Sequence, residues 1–303
     1  MRSRDGPEIA FLGSAVVLAL VVLLIFGFIA WTAAPVLGKE GFGFITGTVW
    51  NYQTGQYGIL IFLAGTLILT AVTMILAVPI GVMTAIYLAE WAPAPVERIL
   101  RPAVELLVGI PSVVYGIFGF FVLDAYFGNN LYPTISSALG WIPLFSITNP
   151  GQGLGILLAA AILTIMVLPT IVALSQEAIR SVPKEYREAS LALGATSWET
   201  VRHVVLPAAL SGIVTSVVLA MMRAVGETMA VVMVIGNSPH IPSSILDTGY
   251  TMTSKILNDI GYYMIEPEPR SALFAIALVL FVLEIGMVAG VRMVTARLGG
   301  DVK

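Results

Sequence analysis

Six apolar runs, each near the length of a bilayer crossing, leave this chain little choice of fold. A span needs about 20 mostly apolar residues, and more when it tilts. Such runs lie at Ile9 to about Trp31, about Ile59 to Leu88, about Ala103 to Asp124, about Leu154 to Leu174, about Leu210 to Ile235, and Ser271 to about Thr295. In lipid every backbone N–H and C=O must bond internally, so runs of this length become helices. The expected fold is an all-α polytopic membrane protein with six transmembrane helices. Composition agrees, with 58% hydrophobic and 11% charged residues against about 25% charged in a soluble domain. The mean hydropathy is +0.94.

The same composition excludes several chemistries. There are no cysteines, so neither disulfides nor thiolates are available. His203 and His240 are the only histidines, too few for a His-rich metal site. No G-x-x-x-x-G-K-[ST] loop is present, so nucleotide hydrolysis by that route is not expected here. No nucleic-acid motif or basic stripe appears, and no Ser–His, paired-Asp or zinc constellation marks the spans as an intramembrane enzyme.

Basic residues set the orientation. Arg2 and Arg4, Arg98 and Arg101, Arg180, Lys184, Arg187 and Arg202, and Arg292, Arg297 and Lys303 fall on one side of the six-span reading. Only Lys39, Lys255 and Arg270 fall on the other. Both termini are therefore expected in the cytoplasm. The first apolar run exceeds the usual signal-peptide core and has no clear A-x-A site, so it is expected to stay as an anchor. The external segment 125–152 lacks lysine and arginine, and its Trp141-Ile-Pro143 reads as an interfacial turn.

Inside the fifth run, LAMMRAVGETMAVVMVIGN, lie Arg223 and Glu227. A charge near the bilayer centre costs about 2.5 to 3.5 kcal/mol on insertion scales, so such residues usually mark a pathway. Four residues is one helical turn, which predicts both side chains on one face. Arginine offers a planar fork of donors that suits an oxyanion. With a helix starting near Leu210, Arg223 stands about 20 Å up, past the middle of the core. Glu227 is expected to balance its charge in an empty path and to help release an ion. A structural ion pair between helices is the competing reading. Glu284 in the sixth run has no obvious local partner, and a structural carboxyl and a path residue both fit it.

Residues 176–207 read as two short cytoplasmic helices. Ser181 before Pro183 marks one start, Gly194 a break, and Ser197 a cap for the second helix, with Thr200 at the capping-box position. Pro207 marks the return to the membrane. Glu188-Ala189-Ser190, then Gly194, then Val204-Val205-Leu206-Pro207 resembles the E-A-A…G…I-x-L-P loop of ABC importer permeases, with Ser190 and Val204 as the departures. The strings Gly65-Thr66-Leu67, with Thr70 and Thr73 following, Gly109-Ile-Pro-Ser-Val-Val-Tyr-Gly116 and Arg223-Ala-Val-Gly-Glu-Thr228 narrow the likeness to phosphate ABC importer permeases. The continuation Met229 to Asn237 is more similar to the PstC branch than to its PstA sisters.

The resemblance covers roughly residues 50–297. It implies a type I (MetI-like) permease core plus an N-terminal helix. Residues 1–57 would be an N-terminal transmembrane helix with an external loop, and 58–303 the permease domain with its coupling loop 176–207. It implies a multi-pass subunit of a prokaryotic plasma membrane importer for inorganic phosphate, surrounded by lipid, with no covalent chemistry and no cofactor of its own. Partners would be a PstA-like sister permease supplying a second arginine, a PstB-like ATPase dimer using ATP and magnesium, and a PstS-like external binding protein. Glu188, Ala189, Gly194, Leu206 and Pro207 would couple to the ATPase. Arg223, Glu227, Thr66 and Ser112 would line the substrate path, with Tyr115 nearby. At Gly109 and Pro111 a kink is expected; whether GIPSVVYG lines a path or packs helices closely stays open. The methionines at 221, 222, 229 and 233 are expected to pack. A permease for another oxyanion, and a membrane scaffold that reports phosphate supply, are the other readings.

Overall fold

The computed structural model describes residues 6–147 and 153–298. Arg2, Arg4 and Lys303, which enter the orientation argument, lie outside them. Six helical stretches among the described residues are long and apolar enough to cross a membrane. They are Phe11–Glu40, Leu60–Glu90, Ser112–Leu139, Ile156–Arg180, Ser197–Gly226 and Pro267–Met293. Many large apolar side chains point outward, among them Leu24, Ile75 and Met83. In lipid this is the favourable direction, because the acyl chains are as apolar as the side chains.

The chain forms two compact units. The first comprises residues 1–60 and 256–282, so it takes in part of the segment assigned above to the permease domain. Helix α1 (Gly6–Glu40) is apolar all round and cannot select one buried face by itself. Within this unit it is matched to α10 (Pro267–Leu298) by polar pins at one end. Ser271 Oγ accepts from Val36 N at 3.2 Å, and Lys39 pairs with Glu268. Rings Phe28 and Phe274 meet edge to face, 5.6 Å between centroids. A two-stranded hairpin, β1 (Trp50–Asn51) and β2 (Gln56–Tyr57), follows α1, and Tyr52 stacks on Tyr263 at 3.7 Å.

The second unit comprises residues 61–255 and 283–303. Its largest buried cluster joins Leu69 of α2 (Leu60–Glu90), Ile156 to Met166 of α5 (Ile156–Arg180), and Ala230 to Val234 of α9 (Met229–Val234). The N-terminus of α5 is closed by carbonyls of the loop that follows α9. Ile156 N donates to Asp247 O at 2.9 Å and Leu157 N to Ile245 O at 2.9 Å. These orphan donors would otherwise be unsatisfied.

The third span lies further along the chain than its hydropathy suggests. An amphipathic helix α3 (Ala94–Gly109) stops at the break, Ile110 is extended, and α4 (Ser112–Phe118) starts after Pro111. Proline holds the residue before it out of the helical region and lacks an N–H of its own. Helical structure then continues through two π turns, Gly119–Leu123 and Phe127–Leu131, to Leu139. Asp124 is therefore inside the span. Its Oδ1 accepts from Gly153 N at 3.0 Å, so the carboxylate is bonded within the protein. Trp141 is exposed, and a 3₁₀ turn follows at Pro143–Phe145.

Candidate functional site

Helix α8 (Leu206–Gly226) carries Arg223 in its last turn and then stops. Glu227 is extended, at φ −66° and ψ 128°, and α9 begins two residues later. The expectation of one continuous helix with Arg223 and Glu227 on one face is therefore corrected. Gly226, a weak helix former, precedes the interruption, and Thr228 follows it with its hydroxyl donating back to Gly226 O at 3.1 Å. Glu227 turns its carboxylate onto the start of α9, where Oε1 accepts from Ala230 N at 3.2 Å. Its carbonyl accepts from Thr253 Oγ1 at 3.0 Å. A carboxylate at a helix N-terminus is favourable, because the first amides lack partners.

Arg223 is left half-buried in the span. Among the described residues it has neither an ion pair nor a hydrogen bond. On the neighbouring α4, Ser112 and Tyr115 are three residues apart and share a face. Both are half-buried, and Tyr115 lies close enough to Arg223 to feel its charge. Gly116 brings α4 against α9. A Cβ there would stand 3.1 Å from Ala230 Cα and 2.8 Å from Met233 Sδ. Gly116 thus packs helices closely, and Tyr115 packs partly on the apolar cluster that includes Ile162 and Ala230. Glu284 Oε1 lies beside Gly226, 3.5 Å from where a side chain would begin.

Thr66 bonds the segment that follows α9. It is 2% exposed, its Oγ1 donates to Phe62 O at 2.8 Å and accepts from Met252 N at 3.0 Å. Gly65 beside it lets the Tyr250 backbone approach, since a Cβ at 65 would run into that carbonyl. Thr70 and Thr73 bond back to Thr66 O and Leu69 O at 2.8 Å each. Of these three, Thr66 fastens the segment after α9 to α2. Met252, bonded to Thr66, is followed by Thr253, whose hydroxyl donates to Glu227 O, so Thr66 is joined to the break after α8 through these two residues.

The segment 176–207 forms α6 (Lys184–Ala192) and α7 (Ser197–Thr200). Two starts shift by a residue or more. Pro183 precedes α6, while Ser181 Oγ bonds back to Ala178 O at 2.8 Å. Thr196, not Ser197, caps α7, in a reciprocal capping box with Glu199. Between them Gly194 has φ +89°. Gly194 N donates to Leu191 O at 3.0 Å and Ala195 N to Ser190 O at 3.3 Å, the two bonds of a Schellman ending. Ser190, the departure from E-A-A, bonds Thr200 through their hydroxyls at 2.9 Å, joining α6 to α7.

The base of this loop is fixed. Arg187 bridges Glu90 Oε1 at 2.8 Å and donates to Val182 O and Ile179 O at 2.6 and 2.9 Å. Arg180 pairs with Glu97 at 2.7 Å. Leu206 packs on the apolar cluster of Ala85, Ile179, Val182, Val205, Ala209 and Ile213. By contrast Glu188, Ala189, Gly194 and Pro207 are exposed, and so are Tyr186, Leu191, Leu193 and Trp198. The segment thus has a hydrogen-bonded base under an exposed apolar and aromatic tip.

Comparison with known proteins now bears on these features. A family model described as "Binding-protein-dependent transport system inner membrane component" matches residues 77–300. The chain is 38% identical over 291 residues to the phosphate transport system permease protein PstC of Mesorhizobium japonicum, with 92% of this chain and 87% of that one covered. Among solved structures it is similar to a chain of a bacterial alginate ABC transporter in complex with an alginate pentasaccharide-bound periplasmic protein. There the TM-score is 0.60 at 14% identity, covering 98% of this chain and 99% of that one. A chain of the inward-facing MetNI methionine ABC transporter gives a TM-score of 0.52 at 19% identity, covering 81% and 99%. At such identities these two likenesses speak for the fold, that of a MetI-like importer permease. The chain belongs to the binding-protein-dependent transport system inner membrane components, in the branch of the PstC phosphate permeases.

Proposed function

We infer that this chain is the transmembrane permease subunit of an ATP-driven importer for inorganic phosphate. It forms half of the translocation path, and a PstA-like sister permease forms the other half. The carrying observation is Arg223, a cation within a span that has no ionic partner among the described residues. An unpaired intramembrane cation is costly and is kept where an anion visits. The exposed tip around Glu188, Ala189 and Gly194 fits the cleft of a PstB-like ATPase, which supplies ATP and magnesium. A PstS-like binding protein delivers phosphate from outside. The ion shifts the equilibrium between inward and outward states only by its differential affinity for them.

Reconstitution of the full importer in vesicles tests this. Phosphate-loaded binding protein is expected to stimulate ATP hydrolysis and drive phosphate inward. Sulfate in place of phosphate is expected to do neither. ATP hydrolysis indifferent to phosphate would point to a scaffold that reports supply, and equal transport of sulfate to a broader oxyanion path.

Orientation has its own test. The chain has no cysteine, so single replacements give unique labels. Leu193→Cys is expected to react with an impermeant reagent only from the cytoplasm, as are cysteines at the two termini. Trp141→Cys and Ile241→Cys, both at exposed positions, are expected to react only from outside. The reverse pattern would place the coupling loop on the wrong face for an ATPase.

A further inference from the structure

Two hydrogen bonds hold Glu227 in its extended form. Its carboxylate accepts from Ala230 N at 3.2 Å, and its carbonyl accepts from Thr253 Oγ1 at 3.0 Å. Thr253 is buried, so without its hydroxyl that carbonyl would need another donor. The residue before it, Met252, is also buried and donates its N–H to Thr66 Oγ1 at 3.0 Å. Met252 and Thr253 thus form a strap that runs from α2 to the break between α8 and α9. The same α2 is fixed at its far end by the bridge from Glu90 to Arg187. Apart from Gly226, no residue across the break opposes an unbroken helix. In such a helix the Glu227 carbonyl would accept from Val231 N. Glu227 would then stand one turn from Arg223, on the same face.

We propose that Thr253 is a positioning residue for the anion path, whose hydroxyl keeps Glu227 off Arg223. The proposal rests on the phosphate-path reading and names what leaves Arg223 open to the ion. Residues 223–231 have two arrangements. In the broken one Thr253 donates to the Glu227 carbonyl, the carboxylate bonds the start of α9, and Arg223 has no ion pair among the described residues. In the continuous one the backbone satisfies that carbonyl itself, and Glu227 closes on Arg223 as an i,i+4 pair. Opposite charges attract strongly away from water, so the closed pair competes with an anion for the guanidinium. The strap selects the broken arrangement, because Thr253 reaches the carbonyl while Met252 is seated on Thr66. Phosphate then meets an open cation rather than one already held by a carboxylate.

The test is a cycle of uptake rates in the assembled importer at saturating phosphate-loaded binding protein. Thr253→Val keeps the shape of the side chain and removes the hydroxyl. Uptake is expected to fall on the order of tenfold, the scale of a buried carbonyl left without its donor. Thr253→Ser keeps the hydroxyl and is expected to stay within about twofold of the parent. Gly226→Ala approaches the same balance from the other side by favouring the continuous helix, and is expected to slow uptake about fivefold. In the Glu227→Gln background both losses are expected to shrink to within about twofold, because a neutral side chain no longer holds Arg223. Losses that persist in that background make Thr253 a packing residue and overturn the proposal, as does uptake by Thr253→Val close to the parent's. A distance measurement stands beside the rates. Spin labels go on cysteines replacing Leu210 and Met229, exposed positions in a chain without cysteine. Their separation in Thr253→Val is expected to move to about 29 Å, that of an unbroken helix, and in Thr253→Ser to stay at the parent's value. A separation unmoved by Thr253→Val overturns the proposal even where the substituted importers transport too little to compare. The phosphate-path reading fails on a different result, namely uptake that survives Arg223→Gln.

Discussion

Arg223→Gln is expected to abolish phosphate uptake and to leave the importer assembled. The first half follows from charge. Two parallel hydrogen bonds from the guanidinium to the ion, each worth about 1.5 to 3 kcal/mol, imply a loss of at least about a hundredfold. The second half follows from the geometry of the helix break. Removing one member of a buried ion pair can cost about 3 to 5 kcal/mol, but Arg223 has no ion pair among the described residues. Glu227 is bonded to Ala230 N instead, and that bond is indifferent to residue 223. Arg223→Lys keeps the charge and loses the fork, so it falls between the two. The double change with Glu227→Gln stays inactive, because a glutamine oxygen still accepts from Ala230 N and the missing cation is not restored. Uptake and co-purification of the partner subunits check both halves. Near-normal uptake by the double mutant would return the pair to a structural role.

The number of spans was legible because each apolar run must satisfy its own backbone, although hydropathy set the third span too early and the fifth too late. The coupling loop was legible because its punctuation is local: Gly194 for a positive φ, Pro207 at the start of a helix. Its details slipped by one residue, although Thr196 and Glu199 stand at the capping-box spacing in the sequence. The break at Glu227 was also written there, as Gly226 before and Thr228 after. Periodicity hid it, since apolar residues continue on both sides. Two placements were beyond local reading. The threonines at 66, 70 and 73 form a polar stripe either way, and only tertiary structure shows that Thr66 receives Met252 N. Glu284 reaches Gly226 across 58 positions of chain, and no spacing rule links them.

Gly194→Ala and Gly194→Leu should impair coupling to the same degree. Bulk is not the reason, because nothing lies within 4 Å of a Cβ built at Gly194. The reason is φ +89°, a conformation that an L side chain resists; the left-handed region costs roughly 1 to 2 kcal/mol for most residues. That strain falls on the two bonds that end α6, from Gly194 N to Leu191 O and from Ala195 N to Ser190 O. Losing them lets α6 and α7 change their angle, while Arg187 and Arg180 still hold the base. The tip would then meet the ATPase cleft in many orientations instead of one. About 1 to 2 kcal/mol corresponds to roughly a five- to thirtyfold shift in population, so uptake and phosphate-stimulated ATP hydrolysis are expected to fall by about tenfold together. Gly194→Asn should lose less, since asparagine enters the left-handed region more readily. The graded order Gly, Asn, then Ala equal to Leu is the signature of a backbone requirement. A leucine far worse than alanine would instead mean that the ATPase packs directly over this turn and that bulk is what it refuses.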